Sequence, residues 1–299
     1  MRRCRKLDRL KLPLPFWSGC DIAGDVAAVG PAVEGVRVGD RVAVNPNLTC
    51  GRCEFCRQGE DSLCVRYGIL GEHEPGGFAE LVRVRAGNVV PLPAHVSYEE
   101  AAAFILVNLT AWRMLVTQAA VRPGEDVLIL GAGGGVSSTA VQIAKLCGAR
   151  VWVTSSSDAK LERARALGAD ECINYARDDW AKVVFEKTAR RGVDVVVENA
   201  GASTWKQSIR SLRKGGRLVT CGATTGPIGE TDIRLIFWNQ LRIIGSTMGN
   251  RKEFDAVMTQ LFRGRLKAII DDVIALKDGA AAQKKLGEGK QFGKLVLKP

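Results

Sequence analysis

The chain has 299 residues, 46% of them apolar, so it is long enough for two domains and can bury a large core. It contains no apolar run of the ~18 residues that span a bilayer, and its basic start lacks an apolar stretch, which argues against a membrane partner and a secretory signal. The net charge of +11 is scattered without interleaved aromatic residues, so we expect a solvated basic surface and no nucleic-acid partner.

The first part of the chain, to about residue 105, is rich in Gly, Pro and Val and contains short strand-like runs at 41–44 and 81–84. Such runs predict an irregular β domain. The chain has nine cysteines, four of them in one short stretch. This usage indicates a reducing compartment, so we expect a cytoplasmic protein rather than one built on disulfides.

The four clustered cysteines follow the pattern C-x₂-C-x₂-C-x₇-C and are Cys50, Cys53, Cys56 and Cys64. Four thiolates this close can form a closed tetrahedral shell around zinc, which leaves no position for water or substrate. An iron–sulfur cluster is the main alternative, but the bacterial ferredoxin pattern has a shorter last spacing and a following Pro. Four unrelated buried cysteines are the other alternative. The spacing predicts a structural zinc that takes no part in chemistry.

Near residue 121 the short strand-like runs give way to alternating predicted strands and helices. A buried-strand run at 126–130 leads into a glycine-rich turn, and an amphipathic helix is predicted at 136–147. Further strands are predicted at 151–154, 172–174, 193–198, 217–221 and 243–246, with helices at 159–167 and 180–189. Strands that alternate with helices predict an α/β fold with a doubly wound parallel sheet.

The glycine-rich turn between the first strand and helix is a candidate phosphate loop. Glycines let a backbone approach a pyrophosphate, and the helix that follows offers unpaired N–H groups and the positive end of its dipole. A simple strand–helix turn is the alternative, but the strand–turn–helix context favours a dinucleotide site. The candidate cofactor residues here are Gly131, Gly133, Gly134, Gly135 and Val136.

The end of the next strand predicts the choice of cofactor. NAD-binding sites place an acid there for the ribose 2′-hydroxyl, about 20 residues beyond the fingerprint. This chain has Ser155 and Ser156 instead, followed by Lys160, which suit a 2′-phosphate. An ordinary solvated lysine is the alternative for Lys160. We expect NADP(H) to be preferred over NAD(H).

Five segments in one order resemble the medium-chain dehydrogenase/reductase family, the zinc alcohol dehydrogenases and their quinone-oxidoreductase relatives. They are G-C-D-x₂-G-x₅-G at 19–30, VGDRV at 38–42, the cysteine cluster with GFAE at 77–80, the phosphate loop, and FGKLVL at 292–297. The resemblance implies a GroES-like catalytic domain at 1–105 with a zinc lobe at 46–66, a Rossmann cofactor domain at 106–264, and a return to the first domain at 265–299. The family's first strands lie ahead of the segment where this sequence starts, so we expect an N-terminally truncated catalytic domain.

The resemblance also bears on individual cofactor residues. It implies that Tyr175 lines the adenosine phosphate site. It places Ser137 where relatives have the third glycine of the loop, so we expect a small cost in stability or a shift of the loop. Asn199, Gly222 and Ala223 follow strand ends where the cofactor crevice is expected, although helix capping and turn formation also favour such residues.

A second, catalytic zinc is where this chain departs from the alcohol dehydrogenases. The resemblance places Cys20 at the family's His ligand, Asp21 at its Glu, and Leu106 at its linker Cys, while the first Cys ligand would precede Met1. Leu has no metal-binding atom, so we predict no standard catalytic zinc, with an improvised site of Cys20, Asp21 and His73 as the alternative. Asn108 and Thr110 are further candidates for stabilising a developing oxyanion, and with Cys20 and Asp21 they complete the candidate catalytic set.

Three functions remain open at this stage. The first is an NADP(H)-dependent reductase of quinones or enones with one structural zinc. The second is a zinc alcohol dehydrogenase with substituted ligands, and the third is a non-enzymatic descendant that binds nucleotide or RNA. In the first two the partner is a small-molecule substrate. The family pairs subunits through the strand at 241–246, which implies a homodimer or a tetramer.

Overall fold

The computed structural model describes residues 14–299. They form two compact units: unit 1 comprises the chain up to Leu109 together with Gly249–Pro299, and unit 2 comprises Thr110–Met248. The chain thus leaves unit 1 once and returns to it at Gly249, ahead of the return expected at residue 265. The domain limits read from the sequence remain a prediction.

Unit 2 is built on a six-stranded sheet in which every neighbouring pair is parallel. The strand order is β11-β10-β9-β6-β7-β8, so the chain runs outward on one side of β6 and then returns to its other side. The predicted doubly wound parallel sheet is confirmed. The strands are β6 (Asp126–Ile129), β7 (Arg150–Ser155), β8 (Glu171–Asn174), β9 (Val193–Glu198), β10 (Leu212–Thr220) and β11 (Arg242–Gly245).

Five helices of unit 2 alternate with these strands. The last three of these helices pack apolar side chains into a core that also includes the strand residues Trp152, Val196 and Leu218. Three of the helices begin at a side-chain cap, as polar residues ahead of a helix predict. The helices are α3 (Gly135–Leu146), α4 (Asp158–Ala166), α5 (Trp180–Lys187), α6 (Trp205–Arg210) and α7 (Ile233–Asn239).

Unit 1 contains small sheets and short helices. Strands β1 (Ala23–Asp25), β2 (Arg41–Val44) and β5 (Val89–Pro91) form an antiparallel sheet, β3 (Asn47–Leu48) pairs with β4 (Gly68–Ile69), and β12 (Ile270–Ala275) pairs with β13 (Lys294–Lys298). Its helices are α1 (Glu54–Arg57), α2 (Tyr98–Trp112, which ends in unit 2), α8 (Arg251–Phe262) and α9 (Gly279–Gly287).

The prediction of a strand at 81–84 is wrong, whereas that at 41–44 is confirmed as β2. In the structure residues 81–84 form no strand. Val84 packs against the small core of Val44, Leu48 and Leu70. The apolar side chain of Val84 therefore contributes to packing without a strand.

Helix α2 continues as a π-helical segment, Arg113–Gln118. By length and composition alone, Tyr98–Gln118 could cross a membrane, although 67% of its most apolar window is buried within the protein. The hydrophobicity of this helix is therefore used in packing, as in the core helix of a globular domain.

Candidate functional site

The four cysteines of the predicted zinc site lie together in unit 1. Their sulfur atoms are all within 4.8 Å of one another. The backbone N–H groups of Cys50 and Arg66 each donate to Cys64 Sγ at 3.3 Å. Hydrogen bonds from backbone N–H groups also lower the pKa of Cys50 to about 6 and lower that of Cys53, whereas burial raises the pKa of Cys56 to about 12. Four cysteine sulfurs this close together fit a tetrahedral zinc, which binds cysteine as the thiolate.

Hydrogen bonds connect the zinc lobe to a part of unit 1 that is distant in sequence. Tyr67 donates its hydroxyl hydrogen to Asn47 Oδ1 at 2.6 Å, and Asn47 Nδ2 donates to the carbonyl of Gly249 at 2.7 Å. The carboxylate of Asp61 accepts from Arg251 N at 2.9 Å, at the start of α8. A metal in this lobe would therefore stabilise unit 1 as a whole.

The candidate catalytic pair Cys20 and Asp21 is engaged in a different way. Asp21 Oδ2 lies 2.6 Å from Lys294 Nζ, and Asp21 Oδ1 accepts from the backbone N–H of Leu106 at 2.7 Å. Burial, with help from the charges of Asp21 and Glu72, raises the pKa of Cys20 to about 12. Cys20 is therefore a neutral thiol, and both oxygens of Asp21 already have partners.

The improvised metal site of Cys20, Asp21 and His73 does not assemble. Among residues 14–299, the cysteine tetrad is the only group of three or more His, Cys, Asp or Glu ligand atoms close enough to share an ion. His73 is exposed, and its Nδ1 accepts from the backbone N–H of Ile69 at 3.1 Å.

The other two candidate catalytic residues are buried. Asn108 is 1% exposed and its Nδ2 donates to the carbonyl of Phe104 at 2.8 Å, while its Oδ1 has no partner. Thr110 is 5% exposed and its hydroxyl lies 3.6 Å from Met248 Sδ. An amide N–H and a hydroxyl that already have partners are poorly placed to donate to a substrate oxygen, so their catalytic role stays a prediction.

The glycine-rich loop has the geometry that a pyrophosphate requires. Gly131 adopts a left-handed φ of +70°, and Ala132 N donates to the carbonyl of Thr154 at 2.8 Å, which ties the loop to β7. Gly134 is the N-cap of α3 and, lacking a side chain, makes no side-chain cap. The first N–H groups of α3 thus remain available to an anion, as in dinucleotide sites. Gly133, Gly135 and Val136 lie in the same turn.

Ser137 links this loop to the loop after β9. Its buried hydroxyl donates to the carbonyl of Leu130 at 2.7 Å and accepts from Asn199 Nδ2 at 2.8 Å. The serine therefore has two specific partners that a glycine would not have. Because β6 and β9 flank the point where the chain reverses direction, this bond joins the two sides of the expected cofactor crevice.

The loop after β10 adjoins the same place. A Cβ on Gly222 would lie 3.2 Å from the carbonyl oxygen of Asn199, and Thr225 Oγ1 donates to the carbonyl of Ala200 at 2.7 Å. Gly222 and Ala223 are exposed. The structure therefore brings Asn199, Gly222, Ala223 and the phosphate loop to one edge of the sheet.

Sequence reasoning missed Glu198, the last residue of β9. Its side chain is fully buried and accepts from Ala200 N at 2.7 Å, Gly201 N at 2.9 Å and the hydroxyl of Ser208 at 2.5 Å. These bonds hold the 199–204 loop in shape without any cationic partner. An acid directly after the apolar run Val195–Val197, at the end of the strand, was the signal that could have revealed it.

The residues expected near the adenosine lie at the ends of β7 and β8. Ser155 is buried and accepts from Ser157 N at 3.2 Å, whereas Ser156 is exposed, Lys160 is half-buried and Tyr175 is 49% exposed.

An acid does follow β7 after three residues, but it is already engaged. Asp158 accepts from Asn174 Nδ2 at 2.8 Å and from both terminal nitrogens of Arg177, at 2.8 and 2.9 Å. These bonds hold the pKa of Asp158 below its usual range.

Comparison with known proteins agrees with this architecture. Residues 2–94 match the alcohol dehydrogenase GroES-like domain, and residues 135–263 match the zinc-binding dehydrogenase domain. An alcohol dehydrogenase of Geobacillus stearothermophilus is 35% identical over 294 residues, which cover 97% of this chain and 85% of that protein. A crotonyl-CoA reductase of Streptomyces avermitilis is 33% identical over 305 residues, which cover 94% of this chain and 68% of the relative.

Solved structures show the same two kinds of relative. A crystal structure of an NAD-dependent alcohol dehydrogenase superposes with a TM-score of 0.92 and 47% identity, covering 97% of this chain and 84% of the other. The 2-octenoyl-CoA carboxylase reductase CinF, in complex with NADP and 2-octenoyl-CoA, superposes with a TM-score of 0.88 and 33% identity, covering 94% and 68%. The chain therefore belongs to the zinc-binding medium-chain dehydrogenase/reductase family and is an oxidoreductase.

Proposed function

We propose that this enzyme uses NADP(H) to reduce an activated carbon–carbon double bond, as in an enone, a quinone or an enoyl thioester. The observation that carries the proposal is the state of Asp21. Its carboxylate is ion-paired with Lys294 and accepts from Leu106 N, so it is not available to hold a metal. Leu106, at the position of the third zinc ligand, has no ligand atom.

A reaction at a carbon–carbon double bond does not require a metal to polarise an alcohol. The bound nicotinamide would supply a hydride to the β-carbon of the substrate. In an enone or enoyl thioester the electron pair of the double bond then moves toward the carbonyl oxygen, and a proton from solvent is added at the α-carbon. A quinone that takes up the hydride and a proton becomes a hydroquinone, which is protonated on its oxygens. This chain's task is to bind both molecules, orient them and stabilise the developing negative charge.

The cofactor would lie along the loops at the carboxyl edge of the sheet in unit 2. The N–H groups at the start of α3 would hold the pyrophosphate, and the loops held by Ser137 and Glu198 would shape the crevice beside it. Ser155 replaces the acid that reads a ribose 2′-hydroxyl, and Asp158 is engaged by Arg177. These features support NADP(H), and CinF supplies a relative that binds NADP.

Turnover and metal content test this proposal together. Purified enzyme should oxidise NADPH in the presence of small enones, a quinone panel or crotonyl-CoA, and should contain one zinc per chain. Absence of NADPH oxidation with every acceptor would overturn the proposal.

A zinc alcohol dehydrogenase is the second candidate, because alcohol dehydrogenases match this chain as well as the crotonyl-CoA reductases do. It requires a second zinc and oxidation of simple alcohols. Two zinc ions per chain together with alcohol-dependent reduction of NADP or NAD would favour it.

We further infer that the enzyme is a cytoplasmic homodimer that pairs through the edge of unit 2. Strand β11 lies at the edge of the six-stranded sheet, with apolar Ile243 and Ile244 at its centre. The neighbouring helix α7 exposes Phe237 by 62% and Trp238 by 75%. An unpaired strand beside exposed aromatic rings is a surface that a second copy would cover.

A further inference from the structure

A basic cavity of about 510 Å³ lies in unit 1 beside the zinc lobe. Its volume is within the range of about 300–1,000 Å³ that is usual for small-molecule sites. We call it the arginine pocket. Its charged and titratable lining consists of Arg52, Arg66, Arg85, His73, Glu74 and Tyr67, together with the zinc-lobe residue Cys50.

Two of the three guanidinium groups have no partner in the described part of the chain. Arg85 donates to Glu74 Oε1 and to the carbonyl of Thr49, both at 3.1 Å. Within residues 14–299, the side chains of Arg52 and Arg66 make no hydrogen bond or ion pair. Each guanidinium carries five N–H donors in a planar fork that matches phosphate.

These arginines are not needed by the zinc site. The thiol sulfurs receive hydrogen bonds from backbone N–H groups, such as those of Cys50 and Arg66, and no described guanidinium donates to a cysteine sulfur. A zinc bound by four thiolates would carry a charge of about −2, which two arginines would balance. Their hydrogen-bond donors would remain free, so the pocket could still accept an anion.

His73 adds a neutral donor to the same wall. Its Nδ1 accepts from the backbone N–H of Ile69 at 3.1 Å, so in the neutral ring the hydrogen lies on Nε2. The side chain of His73 lies beside β4, where a Cβ on Gly68 would be 3.3 Å from His73 Cβ.

One loop connects the arginine pocket with the Cys20–Asp21 segment inside unit 1. Gly77 N donates to the carbonyl of Gly19 at 2.8 Å, and a Cβ on Gly71 would lie only 2.4 Å from that same oxygen. The charge of Glu72, in this loop, also acts on Cys20. The loop that supplies Gly68, His73 and Glu74 to the pocket therefore also touches, through Gly71 and Gly77, the backbone beside the candidate catalytic residues.

We propose that the arginine pocket binds the phosphate groups of the substrate, so that the substrate is an enoyl thioester of coenzyme A rather than a free enone or quinone. This inference rests on the proposed function and makes its substrate class specific. Arg52 and Arg66 would bind the phosphates by bidentate charge-assisted hydrogen bonds, and His73 would add a neutral one. No chemical step occurs in the pocket.

Binding of coenzyme A to the zinc-loaded enzyme tests the site directly. Isothermal titration should give a measurable Kd for coenzyme A, and Arg52→Gln or Arg66→Gln should weaken it about ten-fold or more. Arg57→Gln is the matched control, because Arg57 is exposed in the same lobe and lies outside the pocket. It should change the Kd less than two-fold.

Two further experiments test whether other phosphate compounds bind in the pocket and whether the arginines instead stabilise the zinc lobe. Inorganic pyrophosphate should compete with coenzyme A more strongly in the wild type than in Arg66→Gln, because it would bind the same guanidinium groups. Competition by NADPH, which would bind in unit 2, should be the same in both enzymes. The inference would be overturned if the wild-type enzyme did not bind coenzyme A and the arginine variants lost their zinc. That result would assign the arginines to the zinc lobe. Equal coenzyme A binding in all variants would place the ligand elsewhere and also overturn it.

Kinetics distinguish this inference from the proposed function. Arg66→Gln should raise KM for crotonyl-CoA about ten-fold while KM for a small unphosphorylated enone stays unchanged. If both substrates are reduced and neither KM depends on the arginines, the arginine pocket is excluded but the proposed function stands. If neither substrate is reduced, the proposed function itself fails.

Discussion

Ser137 Oγ accepts a hydrogen bond of 2.8 Å from Asn199 Nδ2, and through it the loop after β6 is fixed to the loop after β9. The same hydroxyl donates to the carbonyl of Leu130 at 2.7 Å. Ser137 is 1% exposed, so these bonds are made without competition from water. Ser137, at the position where the family resemblance implies a glycine, therefore links the two loops that are expected to bind the cofactor.

Removing this link should loosen the cofactor site. Ser137→Ala leaves the amide of Asn199 without its partner, and we expect a loss of about 1–2 kcal/mol in the free energy of unfolding and weaker cofactor binding. Urea unfolding and NADPH titration measure both effects. Adding Asn199→Ala to Ser137→Ala should cost less than the sum of the single changes, and strict additivity would show that the bond contributes nothing.

The zinc lobe should contribute to stability and not to turnover. Removing zinc with a chelator, or Cys53→Ser, should lower the Tm because free energy of binding at a structural zinc is free energy of folding. Differential scanning calorimetry with and without chelator measures this. A Cys53→Ser variant with unchanged Tm and abolished kcat would contradict the structural assignment.

Ser155 should set the preference for NADPH. Ser155→Asp places an acid at the end of β7, where it would repel a 2′-phosphate and accept from a 2′-hydroxyl, so we expect the preference to move toward NADH by about ten-fold or more. Dissociation constants for both cofactors at one ionic strength provide the measurement. Equal Kd values in the wild-type enzyme would remove the basis for the prediction.

Asp194 should make unit 2 sensitive to acid. Burial would raise the pKa of its carboxyl, but hydrogen bonds from Arg191 and Arg213 and from Asp126 N hold that pKa below its usual value. The stabilisation is therefore complete above the pKa of ~3.9 in the unfolded chain and is lost as the pH falls through the lower folded pKa.

Asp194→Asn tests this acid sensitivity. We expect it to lower the free energy of unfolding at neutral pH by about 1–3 kcal/mol and to flatten the fall of that free energy below about pH 4, as urea titrations would show. The control is Asp232→Asn, which weakens an exposed pair with Arg234 and should cost much less than Asp194→Asn. Similar losses for the two variants would refute the special role of Asp194.

The edge of unit 2 should mediate dimerisation. Trp238→Glu introduces a charge into the exposed apolar surface of α7, and we expect it to shift the enzyme toward monomer without unfolding it. Sedimentation velocity of wild type and variant measures the change, with circular dichroism as the test of folding. A wild-type enzyme that sediments as a monomer would exclude the dimer.

The regular part of the fold was predictable because its signals are local. The valine-rich run VDVVVE at 193–198 predicted β9 with its observed limits, Val193–Glu198. Strand β10 was harder: it begins at Leu212 rather than 217, and its pairing with β9 shifts register between Leu212 and Arg217. Gly215 and Gly216 lie in that interval, and glycines in a strand weaken a prediction based on apolar residues.

The site could be predicted only where its chemistry depends on spacing. The four cysteines lie within one short stretch of sequence, so their spacing alone predicts a shared metal. The glycine-rich loop is likewise recognised from the spacing of neighbouring residues. The engagement of Asp21 by Lys294 joins residues 273 positions apart, which no local pattern reveals. The same is true of the unpartnered guanidinium groups of Arg52 and Arg66, which are defined by what surrounds them in space.

The bond between Asn47 and Gly249 has a consequence for synthesis of the chain. The four cysteines are close in sequence and can bind zinc soon after they leave the ribosome, and Thr110–Met248 can fold as a unit before the chain is complete. The zinc lobe, however, cannot reach its anchor until Gly249 and the start of α8 have been made. We therefore expect the second unit in sequence to be the first to acquire native structure, and the amino-terminal portion to mature last.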